Sequence, residues 1–405
     1  MRIILATESS FVGSKNNLKS SGFSGVAVFV DQASKYLAES GHKVMIIAPS
    51  ASNTSKLSVK KISPKLSVAL LPSRPNPFRP KSSVASWSGL SAIKGLINDF
   101  RPDLIHLQDP AEISVYALRA AKKRGVPVVI TNHSYAGFIL AYLRFLGPLD
   151  KLAEKMVLSH LVRTYNECQV VITPTKSLAV SLRRMGVGVP IRVVSNGVKL
   201  EKFHPGSVEP ELLTKYGIPK NKKIVLYVGR LDKDKSLETI IDAVPRIVSK
   251  EKKAHFVFVG EGSAREEYEA LAKKNKAEKH VTWAGYVSHE SRDLPKIYRL
   301  ASVFVMPSLE GQSIATIEAM ASGLPIVAAD AGGLRELVSN KKNGVRFKIG
   351  SSRALVQALL SVLRDKKTAE RYGINGRSAA QKYELSSVQR YLVKVYEEVV
   401  SRKEE

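Results

Sequence analysis

Cysteine is almost missing: the 405-residue chain holds one, Cys168. That excludes a disulfide framework and any cysteine-rich metal site, and it suits a reducing compartment. Cys168 itself reads as a small buried hydrophobe rather than a nucleophile. Long apolar runs are missing too, because no window approaches the eighteen apolar residues that a membrane-crossing helix needs. The opening Met1-Arg2-Ile3-Ile4-Leu5-Ala6 is one short apolar run with no cleavage-type segment behind it. The expectation is a cytoplasmic protein, or one held peripherally on the cytoplasmic face of a membrane. No Gly-x-Gly-x-x-Gly follows the first strand, which disfavours dinucleotide binding, and no internal repeat or low-complexity array is visible.

Acidic residues are scarce, 36 against 63 basic ones, giving a net charge of +27. Both halves are basic, the first more lopsidedly. Such a charge favours nucleic acid, anionic lipid or phosphorylated substrates, or serves solubility, without choosing among them. A nucleic-acid-binding protein would explain the charge. It would also show aromatic and basic residues interleaved on one face, and these are lacking, so no nucleic acid is expected.

What is present is the material of a globular α/β protein. A length of 405 residues and 44% apolar content suit two domains of about 200 residues each. Short β-branched runs alternate with helical stretches at Ile3 to Ala6, Val44 to Ala48, Val68 to Leu71, Leu104 to Leu107, Val126 to Thr131, Val170 to Thr173 and Ile191 to Ser195. That alternation predicts crossover units on a parallel sheet. After the first strand comes a polar loop, Glu8 to Ser24, containing Gly13, Gly22, Lys15 and Lys19, and then a helix opening at Gly25 and stopping at Ser40-Gly41-His42. Residues 50 to 66 and 72 to 86, rich in Ser, Pro and Lys, read as excursions from the sheet.

Two strand ends in this half carry candidate ligand-binding residues, because open parallel sheets present ligands at their carboxyl edge. One delivers Gln108-Asp109-Pro110 and the other Thr131-Asn132-His133, while His106 falls on a strand face and reads as structural. Phe138 to Pro148 is apolar nearly all round, with Lys151, Lys155, Arg163, Arg183 and Arg184 close behind. It is either core or a face that docks on an anionic bilayer.

The second half is organised around Ser308 to Gly333. A strand, Val303 to Met306, ends at Pro307-Ser308, and helix-forming residues begin after Ser313, so Glu310 lies in the loop beside Gly311 and Glu318 about a turn and a half into the helix. Two carboxylates are expected to border one small space, into which the backbone N–H groups of Gly311, Gln312, Ser313 and Ile314 point. A helix start of this kind attracts phosphate. Upstream, the strand Lys223 to Val228 ends in Gly229-Arg230-Leu231-Asp232-Lys233-Asp234-Lys235. Arg230 can fork onto two phosphate oxygens while Lys235, or alternatively Lys233, supplies a point charge. Gly260-Glu261-Gly262 and Gly285-Tyr286-Val287 close two further strands and would let backbone approach a nucleobase. Asp330 to Glu336 reads as a structural loop and helix start.

The pattern of Glu310, seven residues, Glu318 and then Ala319-Met320-Ala321-Ser322-Gly323-Leu324-Pro325-Ile326-Val327-Ala328 resembles the retaining GT-B glycosyltransferases that use nucleotide-sugar donors. So do Gly229-Arg230-Leu231 with the downstream lysine, Asn196-Gly197-Val198, and His133 at its strand end. One departure is that Gln312 and Ser313 stand where the family has an aromatic residue and a glycine. The resemblance implies two Rossmann-like domains facing across a cleft: an acceptor domain, 1–205, a nucleotide-sugar domain, 206–380, and a C-terminal helix, 381–405, returning to the first.

It further implies transfer of a hexose from a UDP- or GDP-sugar to a hydroxyl, without a cofactor or metal. The acceptor would be a membrane glycerolipid or other lipid-linked hydroxyl, or alternatively a soluble sugar or sugar phosphate. Glu310, His133, Arg230 and Lys235 would carry the chemistry. Gly229, Gly285, Tyr286, the Gly311 to Ile314 segment and Glu318 would hold the donor, with Glu318 on the ribose. Gly25, Asp109 and His133 would lie on the acceptor side.

Overall fold

A computed structural model describes residues 1–9, 11–14, 17–20, 25–76, 79–135 and 150–402. The apolar run Phe138 to Pro148, together with Lys15, lies outside these. The chain divides into two compact units, Met1–Asn196 with Ser386–Glu405, and Gly197–Leu385.

In chain order the first unit runs β1 (Arg2–Ala6), β2 (Phe11–Ser14), β3 (Asn17–Ser20), α1 (Gly25–Glu39), β4 (Lys43–Pro49), β5 (Ser58–Ser63), β6 (Leu66–Leu71), β7 (Ser73–Asn76) and β8 (Arg79–Ala85). It continues with α2 (Trp87–Phe100), β9 (Leu104–Leu107), α3 (Glu112–Lys122), β10 (Val128–Thr131), α4 (Asp150–Asn166), β11 (Val170–Thr173), α5 (Lys176–Met185) and β12 (Ile191–Val193). Eight strands form one sheet in the order β12-β11-β10-β9-β1-β4-β6-β5. Every pairing in it is parallel except β5 with β6. Past their first residues the central strands are buried and, His106 apart, apolar, because helices cover both faces, as parallel sheets require. The excursions at 50–66 and 72–86 contain strands that the sequence did not announce, the edge strand β5 and the β7–β8 hairpin. β5 reads Ser-Val-Lys-Lys-Ile-Ser, with its exposed side chains on the solvent side of an edge, so no apolar run marks it.

The C-terminal helix Leu385–Ser401 belongs to this unit. Val388, Leu392, Val395, Tyr396 and Val399 recur at helical spacing and join the core formed by β1, β4 and α1. Tyr396 also bonds through its hydroxyl to Nδ1 of the fully buried His106, at 2.6 Å, and Thr131 Oγ1 lies 2.6 Å from Nε2. Burial first, and the neighbouring His133 second, lower the pKa of His106 to about 3, so it is a neutral structural residue.

The second unit holds α6 (Pro210–Lys215), β13 (Lys223–Val228), α7 (Glu238–Ile241), α8 (Val244–Lys250), β14 (Ala254–Val259), α9 (Arg265–Lys274), β15 (Val281–Gly285), α10 (Asp293–Leu300) and β16 (Val303–Met306). Then come α11 (Ile314–Ala321), β17 (Ile326–Ala329), α12 (Leu334–Leu337), β18 (Gly344–Phe347), α13 (Ser352–Leu363) and α14 (Lys366–Ala380). Its sheet has the order β15-β14-β13-β16-β17-β18 and is wholly parallel. The unit begins at Gly197 rather than after Pro205 because Val198, Leu200 and Phe203 are buried in its core. Val198 exchanges backbone hydrogen bonds with Tyr383 and Leu385, which carries the unit to Leu385 rather than 380.

Candidate active site

In the second unit the carboxyl ends of β13 and β16, adjacent strands, bring together the charged residues of two loops. Directly after β13, the Tyr227 hydroxyl donates to the Arg230 carbonyl at 2.8 Å and holds the turn. A short 3-10 turn, Lys233–Lys235, then swings Lys235 inward. Its Nζ lies 2.8 Å from Glu310 Oε1 and 3.5 Å from Asp234 Oδ2, with only 13% of the lysine side chain and 15% of the glutamate exposed. Ser308, fully buried at the end of β16, donates to the same Glu310 oxygen at 2.6 Å. Lys233 points away, 75% exposed and paired with Glu267, so of the two lysines it is Lys235 that joins Glu310.

Arg230 is gripped by Asp232 and Asp234, the latter at 2.8 Å from its Nη2. Burial works against its charge, and Asp234 and Asp232 more than offset that, so its pKa is raised and the cation is secure. Asp232 is fixed in turn by Ser263, whose N–H and hydroxyl donate to its other oxygen at 2.7 and 2.9 Å. The result is two cations and three carboxylates in one half-buried cluster. An anion entering it would exchange places with carboxylates already oriented on the same cations.

Helix α11 starts beside this cluster. Ser313 caps it, its Oγ accepting the Thr316 N–H at 3.1 Å, which explains why a serine serves here. The Glu310 carbonyl accepts the Gly333 N–H at 2.8 Å, tying the loop to Ala331-Gly332-Gly333. Glu318 lies farther along α11 and is buried. Tyr298 donates to its Oε2 at 2.7 Å, and His289 Nε2 lies 2.8 Å from its Oε1. Burial, and then the Glu318 carboxylate itself, hold the Tyr298 hydroxyl well above its ordinary pKa, so it remains a donor.

In the first unit, the ends of β1, β9 and β10, three adjacent strands, form a second polar group. The Glu8 N–H donates to Asp109 Oδ2 at 3.3 Å, and the Ala111 N–H donates to Asp109 Oδ1 at 3.2 Å. Glu8 Oε1 accepts the Ile113 N–H at the start of α3, at 2.6 Å. His133 Nε2 is 3.2 Å from Gln108 Oε1, and the Phe29 ring sits edge-on to the imidazole at 5.3 Å. Burial lowers the His133 pKa to about 3, so the imidazole is neutral and can serve as a hydrogen-bonding group without charge. Gly25 is exposed at the first position of α1.

Two family models match consecutive stretches of the chain. Glyco_transf_4, Glycosyltransferase Family 4, covers residues 23–202, and Glycos_transf_1, Glycosyl transferases group 1, covers 208–379. The phosphatidyl-myo-inositol mannosyltransferase of Mycobacterium leprae is 26% identical over 388 residues, 93% of this chain and 94% of that protein. The solved sucrose-phosphate synthase from Thermosynechococcus elongatus superposes with a TM-score of 0.81 at 21% identity, covering 99% of this chain and all of that one. An Anabaena protein, HepE, solved in complex with UDP-glucose, gives 0.75 at 17% identity over 98% of this chain and all of that one. The chain belongs to the GT-B glycosyltransferases.

Within this glycosyltransferase the residues read from sequence fall into three groups. Lys235, Glu310 and Arg230 are brought together in the second unit, Arg230 through the shared Asp234. Asp109 and His133 lie on neighbouring strand ends of the first unit. Glu318 has its own partners: Tyr298 and His289 occupy its two oxygens, whereas Lys235 and Ser308 hold Glu310.

The Gly-x-Gly after β14 also has a packing explanation that needs no nucleobase. A Cβ on Gly260 would stand 1.9 Å from the Gly229 carbonyl oxygen, and one on Gly262 would stand 2.4 Å from Leu231 backbone. Tyr286 follows Gly285, whose φ is +71°, and is exposed. Sequence reasoning missed Asp232, Asp234, Ser308, His289 and Tyr298. The alternating Asp-Lys-Asp-Lys of residues 232–235 was a usable signal for the first two.

Proposed function

We propose that this glycosyltransferase moves a hexose, with retention of anomeric configuration, from a UDP- or GDP-sugar to the hydroxyl of a lipid-linked acceptor. The observation that carries the reading is the Lys235–Glu310 ion pair with Arg230 beside it at the start of α11. The donor diphosphate takes the two cations, each charge-assisted contact contributing about 1.5–3 kcal/mol. Glu310, released from Lys235, accepts hydroxyls of the donor sugar, and Glu318 accepts the ribose hydroxyls once His289 yields its place. Gly229, Gly285, Tyr286 and the Gly311 to Ile314 segment line the donor. As the glycosidic bond breaks, charge grows on the leaving phosphate, where Arg230 and Lys235 neutralise it without a metal. That phosphate takes the acceptor proton on the face the nucleotide leaves, which gives retention. Gly25, Asp109 and His133 serve the acceptor side.

A nucleotide-sugar donor is supported by the likeness to a protein solved with UDP-glucose. The lipid acceptor is supported by the relative named for phosphatidyl-myo-inositol. Thermal stabilisation by a panel of UDP- and GDP-sugars identifies the donor, and NMR of the product reads its anomeric configuration. Glu310→Gln is expected to lower kcat at least a hundredfold while the dissociation constant for UDP or GDP stays within about threefold. Full turnover in that variant, or no stabilisation by any nucleotide sugar, would remove the proposal.

A further inference from the structure

The carboxyl edge of the first unit's sheet carries more than the transfer reaction has used. Glu8, Gln108 and Asp109 meet there at the ends of two adjacent strands. Gln108 is fully buried, and its Nε2 has no hydrogen-bond partner among the described residues. Turning the amide would only hand the vacancy to its oxygen, because His133 satisfies one of the two atoms. A buried amide group without a partner destabilises the fold, and a ligand hydroxyl would satisfy it. Asn132, next to His133 and 8% exposed, likewise leaves Oδ1 unpartnered.

An exposed aromatic ring lies along the same edge of the sheet. Trp87 opens α2 and is 79% exposed. The start of α2 is pinned to the same edge of the sheet: Ser86 N–H donates to the Pro72 carbonyl, just past the end of β6, and Gly89 packs on that carbonyl too closely for any Cβ. The Trp87 ring meets Tyr116 edge-on at 6.2 Å. Tyr116 is one turn along α3 from Ile113, whose N–H holds Glu8, so indole and carboxyl flank the same opening turns of one helix.

We propose that this edge binds a ring-shaped polyol as acceptor, its vicinal hydroxyls held by Asp109, Glu8 and the Gln108 amide and its apolar face laid on Trp87. The inference rests on the proposed transfer and names the acceptor class for it. A carboxylate accepts from two neighbouring hydroxyls while an amide N–H donates to one, a set matched to a vicinal diol. An indole face gains from the flat C–H face of a pyranose or cyclitol, which a linear glycerol chain does not offer. The same ring can come as a lipid headgroup or as a free sugar.

The test measures transfer from the donor found by thermal shift to four acceptors: phosphatidylinositol vesicles, phosphatidylglycerol vesicles, free myo-inositol and free glycerol. At least one ring acceptor is expected to exceed its linear counterpart tenfold, and which one identifies the source. Asp109→Asn should raise the ring acceptor's KM about tenfold or more, and Trp87→Ala about fivefold, with UDP or GDP affinity unchanged. Trp87→Phe should restore most of the loss, and Glu8→Gln should keep a low KM because its amide donates as a protonated carboxyl does. Trp87 is exposed, so its variants report on binding rather than folding. Preference for the linear acceptors, or an acceptor KM within twofold of wild type in both Asp109→Asn and Trp87→Ala, would overturn the inference while leaving sugar transfer standing. No nucleotide-sugar binding at all would instead remove the transfer, and this inference with it.

Discussion

At the scale of single residues, Glu8 makes one identifiable contribution to how stability responds to pH. Burial, then Asp109, raise its pKa to about 8, against the lowering effect of the Ile113 N–H and with Glu112 adding to the rise. Burial raises Asp109 to about 6 despite the N–H groups of Glu8 and Ala111. The other groups facing this pair, Gln108 and His133, are uncharged. The folded chain therefore keeps a proton that the unfolded chain releases near its ordinary value of 4.5. Between those two values the folded state binds more protons, so this contribution to stability is fully present below about pH 4.5 and is lost as pH rises towards 8. Glu8→Gln mimics the protonated form. Urea midpoints of the variant and the wild type should converge near pH 5 and separate by pH 8, with the variant more stable by on the order of 1–3 kcal/mol, allowing for partial exposure. A gap that does not grow with pH would show that Glu8 is already ionised. None of this was legible from the sequence, because Glu8 and Asp109 are 101 residues apart and meet only when β1 and β9 pair. Glu318, Tyr298 and His289 were hidden for a similar reason. The sequence offered Glu318 as a motif residue, but its partners come from α10 and the loop before it.

At the scale of elements, the C-terminal helix holds the first unit together from the far end of the sequence. Leu392 is fully buried among β1, β4 and α1, and Leu392→Ala should cost about 2–5 kcal/mol. Tyr396→Phe leaves Nδ1 of buried His106 without its partner, at a cost of about 1–3 kcal/mol. Both losses belong to the unit of Met1–Asn196 and Ser386–Glu405, so UDP or GDP affinity, assigned to the second unit, should stay constant while the thermal transition moves down. Equal loss of nucleotide binding would contradict that division. The elements most legible in sequence were those buried on both faces. β1, β4, β6, β9 and β11 are apolar runs that no alternative structure accommodates as well. β5 and the β7–β8 hairpin escaped because an edge strand need bury little, and their Ser, Lys and Pro residues read as loop. The Arg230, Lys235 and Glu310 group was legible for the opposite reason, since each residue lies in a loop that follows directly on a strand end. Parallel neighbours deliver such ends to one edge.

At the scale of the molecule, the charge of +27 is the property that no single site absorbs. No described helix is long and apolar enough to cross a membrane, so any bilayer contact would be made by a surface. α4 offers one such surface in the first unit: Leu152 and Met156, four apart and 57% and 65% exposed, lie next to exposed Lys151 and Lys155. Apolar side chains flanked by lysines gain from an anionic leaflet in two ways, about 1 kcal/mol per basic residue near the surface and a separate contribution from burying each apolar side chain. The two respond differently to salt. Screening shortens the Debye length from about 10 Å at 0.1 M to about 3 Å at 1 M and removes the charge contribution, while apolar burial persists. The chain should therefore sediment with phosphatidylglycerol vesicles most strongly at low salt, and only weakly, independently of salt, with phosphatidylcholine vesicles. Leu152→Ser with Met156→Ser should weaken binding at every salt concentration, whereas Lys151→Gln with Lys155→Gln should weaken it only at low salt. If wild type ignores anionic vesicles at low salt, the positive charge serves solubility or phosphorylated soluble substrates instead, and the acceptor of the transfer is a free sugar.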